Sequence, residues 1–484
     1  MRLWKRVIKV VIVIGILLTV PNINGRVYAY VWVDGTPQLY EEGRSLARVP
    51  GYSDGAMRAP ALAGVSRPPA YNVGGTRGFY ALDMRTERQY LLEASCQAIS
   101  DHAYIFVENG RTVSPDRIKS LLESFSRIYD TIVSQFGPPS DKIDNDPRVY
   151  LLIMDILDGS QVNGVKMLGY FSPIDQFTNA QLIKYTKKRS NEINILYIDY
   201  VSLTVKGDLA EGVIAHEFTH LVEWSRDPEE STWVNEGIAM YAESMMGYEV
   251  DDYISAFEKN PAVSLLDWSE SIENYGAVYL FFAYISEKFG GVPAIAAIVK
   301  NGDQGAAGIE KAMAMPFEKI FSNWIIANYL DRPDLNNGIY GYSTLDIHLK
   351  PTVVETTYPV ARKTSRIYSW TAQYIEFDKS QTDILRLTIY DDSEDGMIAA
   401  QIIKFGTEDK VEVLSVKSSG EPSGNASIAQ ENARAILVVA SQPDPPDTKN
   451  ARLSYAYSAE TRSAGIAVAP LGKKITTWGS VKRD

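Results

Sequence analysis

The sequence predicts an α+β protein: a small mixed sheet with a helical subdomain, followed by a C-terminal β-sandwich. Three observations carry this expectation. Strand-like apolar runs cluster between residues 102 and 200 around one long amphipathic segment. Helix-period segments dominate from 208 to 330. Short strand-like segments separated by Gly, Asp, Pro and Ser then fill residues 350–460, the pattern of a sandwich.

The first 29 residues read as a signal peptide. Arg2, Lys5, Arg6 and Lys9 precede an apolar run at 10–20, and Val27-Tyr28-Ala29 follows as a small-residue cleavage site. The run falls short of the roughly 20 residues needed to span a bilayer, so export without a lasting membrane span is the expectation. Residues 30–78 are rich in Gly, Pro and Arg, with Pro60, Pro68, Pro69, Gly74 and Gly75, and read as a linker or propeptide-like arm.

From Phe79 the pattern becomes regular. Residues 102–107 and 149–154 are strand-like. Ser114 caps a helix to Phe136 with Pro115 at its first position, and Ile118, Leu121, Leu122, Phe125, Ile128 and Ile132 recur at helical spacing. Gly169-Tyr170-Phe171 and residues 193–200 complete the sheet. Helices are expected at 208–224, 232–246, 250–259, 275–289, 293–300 and 316–330, and strands at 368–377, 384–390, 397–405, 410–416, 435–440 and 452–457. This gives a first domain over 79–345, a sandwich over 350–460 and a tail at 461–484.

Composition narrows the function classes. The chain has 484 residues, 45% hydrophobic and 22% charged, enough for a large core in more than one domain. A net charge of −12 argues against a nucleic-acid partner, which needs a basic face. One cysteine excludes an intramolecular disulfide; Cys96 reads as a small buried hydrophobe, with capping of a metal as the alternative. Two acidic turns raise calcium as a second candidate ion. Asp141, Asp144, Asn145 and Asp146 lack calcium-loop spacing, and after Asp391, Ser393, Asp395 and Gly396 an Ile402 stands where the closing Glu belongs; a solvated turn and a hairpin turn are the plainer readings.

Two of the four histidines fall in His216-Glu217-Phe218-Thr219-His220. At this histidine frequency a chance H-E-x-x-H is on the order of a few in a thousand. Asp208, with Glu211 as capping-box partner, can open the helix, and Val213, Ile214, Phe218, Leu221 and Val222 form its buried stripe. Histidines four apart project from one helix face and can meet one ion, with zinc the expected one. Glu217 lies beside that face and reads as the general base for a metal-activated water. Glu223 and Arg226 stand where a longer His-rich motif would continue, so the third ligand must lie elsewhere; Glu236, in Asn235-Glu236-Gly237 near the start of the next helix, is the candidate.

These motifs resemble the gluzincins, the clan of thermolysin and aminopeptidase N, and more narrowly the secreted hyicolysin-type and immune-inhibitor-A-type neutral metallopeptidases. Gly169-Tyr170-Phe171, Tyr275-Gly276-Ala277 and residues 324–331 add to the resemblance, which covers roughly 79–335. It implies a thermolysin-like catalytic domain, zinc held by His216, His220 and Glu236, and hydrolysis of a protein or peptide substrate by a secreted enzyme. Met240 replaces the thermolysin-type Asp that orients the first histidine, and Glu243 matches the aminopeptidase-like pattern for that role. The aminopeptidase signature for a free amine is absent upstream, which favours internal cleavage. By the same pattern Tyr275, or Tyr279 a turn later, would stabilise the oxyanion. A non-catalytic envelope binding protein that kept the fold, and a zinc hydrolase of a non-peptide bond, are the alternatives.

Overall fold

The computed structural model describes residues 20–21, 27–28, 31–48, 70–160, 165–205, 207–378, 384–393, 396–405, 410–416, 425–428, 434–443 and 451–462. The expected leader and its cleavage site lie largely outside these residues, as does nearly all of the expected tail. Among the described residues no single helix is long and apolar enough to cross a membrane. The chain is mixed α/β and divides into two compact units, Met1–Asp252 with Gly290–Gly308, and Tyr253–Phe289 with Ile309–Asp484.

The first unit is built on a seven-stranded mixed sheet: β1 (Val31–Asp34), β2 (Thr76–Asp83), β3 (Arg88–Ile99), β4 (Ala103–Glu108), β5 (Val149–Met154), β6 (Val165–Phe171) and β7 (Ile195–Asp199), in spatial order β1-β6-β7-β5-β4-β3-β2. The central strands are buried on both faces. Every residue of β5 and of β7 is buried; their apolar runs account for all but Asp199, which pairs with Lys166 at 2.6 Å. One face holds a core of Phe79, Tyr104, Phe106, Leu152, Met154, Tyr170 and Tyr197, with Cys96 among them. The sequence expectation of a buried, packing cysteine therefore holds; burial also pushes its thiol pKa upward. The other face carries helices α2 (Pro115–Phe136) and α3 (Leu209–Trp224).

Helix α2 starts as its sequence dictates: the Ser114 hydroxyl accepts the Arg117 N–H at 3.2 Å, and Pro115 takes the first position. Helix α3 does not. Asp208 makes no side-chain cap, and Glu211 takes a two-pronged ion pair from Arg117 in place of the expected capping box. A guanidinium from a packed neighbour outcompetes a local backbone N–H for the carboxylate, and no local pattern reveals that neighbour.

The expected linker at 30–78 is in part ordered structure. Residues 31–34 form edge strand β1, and α1 (Thr36–Ala47) follows with Leu39, Tyr40, Gly43 and Arg44 buried. Strand β1 runs parallel to β6 with Asp34 opposite Gly169, and the Gly35 N–H donates to Gly169 O at 3.1 Å.

In the second unit two sheets face each other across one apolar core. Strands β8 (Val353–Glu355), β10 (Ala372–Asp378), β12 (Gly396–Phe405), β13 (Val411–Val416) and β15 (Arg434–Pro443) form one sheet, and β9 (Val360–Tyr368), β11 (Ile384–Asp391), β14 (Asn425–Ile428) and β16 (Arg452–Arg462) the other. Phe377, Ile402 and Leu437 of the first meet Leu387, Leu453 and Tyr457 of the second. Two details of the sequence reading are corrected. The single strand expected at 368–377 breaks at Trp370, whose φ is +49°, and its halves enter different sheets. The turn expected after Asp391 to be a hairpin joins β11 to β12, which also lie in different sheets, so the chain crosses the sandwich there. Strand alternation is the same for a neighbour in one sheet and a partner across the core, so sequence cannot separate the two.

Phe125 on α2 is fully buried and meets Phe218 of α3 edge-on at 5.4 Å. Phe125→Ala should lower the stability of the first unit by about 3–5 kcal/mol, read from the urea midpoint of its unfolding transition. A loss below about 1 kcal/mol would mean that α2 does not support α3 in this way.

Candidate metal centre

Helix α3 and the next helix, α4 (Thr232–Met245), pack side by side and carry the predicted ligands. A polar turn between them reverses the chain, with the Asp227 N–H donating to Glu223 O at 2.8 Å. The pair is close because Gly212 has no side chain: a Cβ there would lie 3.1 Å from Glu243 Oε1 and 3.4 Å from Tyr248 Cβ.

His216 and His220 turn their Nε2 atoms toward Glu236. His216 Nε2 lies 3.4 Å from Glu236 Oε2, and His220 Nε2 lies 3.5 Å from Glu236 Oε1. A fourth group completes the cluster. Asp34, at the end of β1, brings Oδ2 to 3.6 Å from His216 Nε2 and 3.7 Å from His220 Nε2. One donor atom from each of these four residues lies within 4.8 Å of all the others.

The residues fit a tetrahedral zinc site. Asp34 Oδ2, both Nε2 atoms and Glu236 Oε2 are buried without a hydrogen-bond partner, a costly arrangement unless a cation satisfies them. Ligand atoms about 2.0–2.2 Å from tetrahedral zinc stand roughly 3.3–3.6 Å apart. The four measured separations, 3.4 to 3.7 Å, lie within or just above that spacing.

Behind each imidazole stands a second carboxylate. His216 Nδ1 lies 3.5 Å from Glu243 Oε2, where the sequence pattern placed Glu243. His220 Nδ1 lies 3.7 Å from Glu223 Oε2, a partner the sequence reading noted only as a departure from another motif. Carboxylates at Nδ1 fix the ring orientation that leaves Nε2 facing inward. Their charge dominates the pocket. Burial opposes the imidazolium of His220, but Glu236, Asp34 and Glu223 outweigh it and push its pKa up to about 10. Burial raises Glu223 to about 8 although His220 draws it back. Burial alone would raise Asp34, but the two imidazoles hold it well below the usual carboxylate range.

Glu217 projects beside the cluster and is buried. Gly169 makes its place: a Cβ there would meet Val213 Cγ1 at 2.6 Å and approach Glu217 Oε1 to 3.2 Å. Glu217 Oε2 accepts the Thr36 hydroxyl at 2.6 Å, and that hydroxyl oxygen accepts the Phe171 N–H at 2.8 Å. Burial, then the charge of Asp34, push Glu217 well above the usual carboxylate pKa.

Three further candidates remain. Tyr275 is on the Ile272–Phe289 helix of the second unit, buried, with its ring edge-on to Trp268 at 4.8 Å. Cys96 is in the sheet core, and Asp34 stands at the cluster where a capping thiolate was the alternative. Of the calcium candidates, Asp146 gives Oδ1 to Arg148 at 2.9 Å and Oδ2 to the Tyr104 hydroxyl at 2.6 Å, so its oxygens hold the turn. Asp395 lies outside the described residues.

The four buried donors and the adjacent acid define a candidate catalytic metal centre in a mixed α/β unit. The chain is 28% identical over 232 residues to the neutral metalloprotease ShpI of Staphylococcus hyicus, covering 43% of this chain and 51% of ShpI. It thus spans about half the length of that curated relative. No family model matches. Among solved structures, a collagenase pre-peptidase C-terminal domain from Bacillus anthracis aligns with 23% of this chain and 98% of that domain, at 9% identity and a TM-score of 0.18. A Yersinia pseudotuberculosis mitogen aligns with 24% of this chain and 99% of its own, at 10% identity and a TM-score of 0.18. Similarity this low carries no argument about the fold.

Replacing Glu243 or Glu223 by Gln keeps the side-chain shape and removes the charge behind one imidazole. Each change should weaken zinc binding about 10–100-fold, measured by competition with a chromophoric chelator. Unchanged affinity in both variants would show that neither carboxylate supports a ligand.

Proposed function

We propose that the chain is a secreted zinc-dependent endopeptidase of the gluzincin type. The observation that carries this reading is the convergence of His216, His220 and Glu236 at tetrahedral-ligand spacing with Glu217 alongside. The metalloprotease relative supports the same class.

His216, His220 and Glu236 would hold the ion. Zinc, when bound, supplies Lewis acidity, which polarises a carbonyl and lowers the pKa of a water to about 7. Glu217 takes the proton of the attacking water and passes it to the leaving amine. Glu223 and Glu243 keep the imidazoles turned inward. Tyr275 is proposed as the oxyanion donor on its sequence pattern alone. An extended protein or peptide chain is the proposed substrate, and the apolar run at 10–20 supports export.

Glu217→Gln should keep one zinc per chain while casein hydrolysis falls by at least about 100-fold relative to parent protein prepared in the same way. Zinc content by atomic absorption and release of casein fragments measure the two halves. A variant that cleaves as fast as a measurably active parent removes Glu217 from the mechanism.

A further inference from the structure

A hydrolytic zinc centre needs a coordination position open to water, and three protein ligands leave one. Here a fourth donor from within the chain stands beside those three. Asp34 Oδ2 lies 3.6 and 3.7 Å from the two Nε2 atoms, as close to the histidines as a fourth ligand would be. Its other oxygen is fixed, since Oδ1 accepts the Thr36 N–H at 2.8 Å. Two residues further on, the Thr36 hydroxyl donates to Glu217, the group that would otherwise meet the attacking water. One dipeptide step thus occupies both the open metal position and the general base.

The rest of the segment holds that contact in place. Strand β1 adds to the free edge of β6, where backbone pairing would otherwise be open to an extended peptide. Gly35 is required for the approach: a Cβ there would fall 2.4 Å from Met167 Sδ and 3.0 Å from Tyr170 Cβ. Helix α1 then seals the contact. The Tyr40 hydroxyl donates to His220 O at 3.0 Å, and its ring meets Trp224 edge-on at 5.3 Å. Arg44, buried, donates to Thr232 Oγ1 at 3.1 Å and to the Glu230 carbonyl. At the helix end Arg48 pairs with Glu229 at 2.6 Å.

We propose that residues 31–48 are a built-in inhibitor: Asp34 is a displaceable fourth metal ligand, Thr36 ties up Glu217, and the segment lies in the place of substrate until it is removed or displaced. This rests on the zinc-peptidase reading above. It also divides the segment from residues 70–160 in function, because the latter build the sheet that carries the site, whereas the former cover it.

The test uses the full chain loaded with cobalt(II), whose visible bands report the ligand set directly. In the parent protein these bands should stay unmoved by millimolar acetohydroxamate, a small chelator that needs a free coordination position. In Asp34→Ala they should shift on titration with it, and Asp34→Asn, which keeps the side-chain shape with a weaker donor, should shift at intermediate concentration. Near-ultraviolet circular dichroism checks that each variant is folded. A second arm cuts the chain at a protease site introduced within residues 49–69 and separates the pieces. Casein hydrolysis should then rise at least about tenfold, since the inhibitor is no longer tethered. Acetohydroxamate shifting the parent and both variants equally would overturn the proposal. Differing spectra with no hydrolysis in any form would uphold the occupied fourth position and count against the peptidase reading.

Discussion

Two imidazoles and five carboxylates meet in one largely buried pocket: His216 and His220 with Asp34, Glu217, Glu223, Glu236 and Glu243. Taking an ion out of water costs several kcal/mol unless a partner compensates. Even with both imidazoles charged, acids outnumber bases five to two. Such a pocket either carries extra protons or holds a cation. The four inward-facing donors lack hydrogen-bond partners, as do His220 Nδ1 and Glu223 Oε2 on the outer side of that ring. A divalent ion at the centre would satisfy the four inward-facing lone pairs at once and leave Glu223 and Glu243 to orient the histidines.

The scaffold meets this demand through close approach. Strand β6 runs beside α3, and Gly169 on that strand leaves the space in which Glu217 lies. Gly212 does the same between α3 and α4, where Glu243 reaches back to His216. The sheet register then sets Asp34 opposite Gly169, so one glycine both leaves room for Glu217 and pairs with the strand that carries Asp34. These contacts are fixed by backbone spacing in a sheet and a helix pair, elements rigid enough to hold ligand positions to a fraction of an ångström.

Much of this was legible in the sequence, and the pattern of success is physical. His216, Glu217 and His220 are local, within five residues of one helix, and periodicity alone puts both histidines on one face with Glu217 beside it. Glu236 was reachable because a short polar turn allows little choice in how the next helix returns, and Glu243 through the aminopeptidase-like pattern. Helix α2 and the buried strands announced themselves through capping and unbroken apolar runs. Asp34 was not legible. It lies 182 residues from His216 in a stretch rich in Gly, Pro and Arg, and its meeting with the histidines depends on strand pairing. The hints were small: a Thr36-Pro37 helix start, and Leu39, Tyr40 and Gly43 on one face. Glu223 was visible but given no role, since an acid three residues after a histidine can face solvent as easily as the ring. In the sandwich the strands were largely found, but not their assignment to sheets, which alternation does not encode.

The most direct test is an anomalous-scattering map of crystals grown with zinc, recorded on both sides of the zinc edge. A single peak within about 2.0–2.2 Å of His216 Nε2, His220 Nε2 and a Glu236 oxygen is the result this account predicts. A map with no peak there, or with the ion held by other residues, would contradict it.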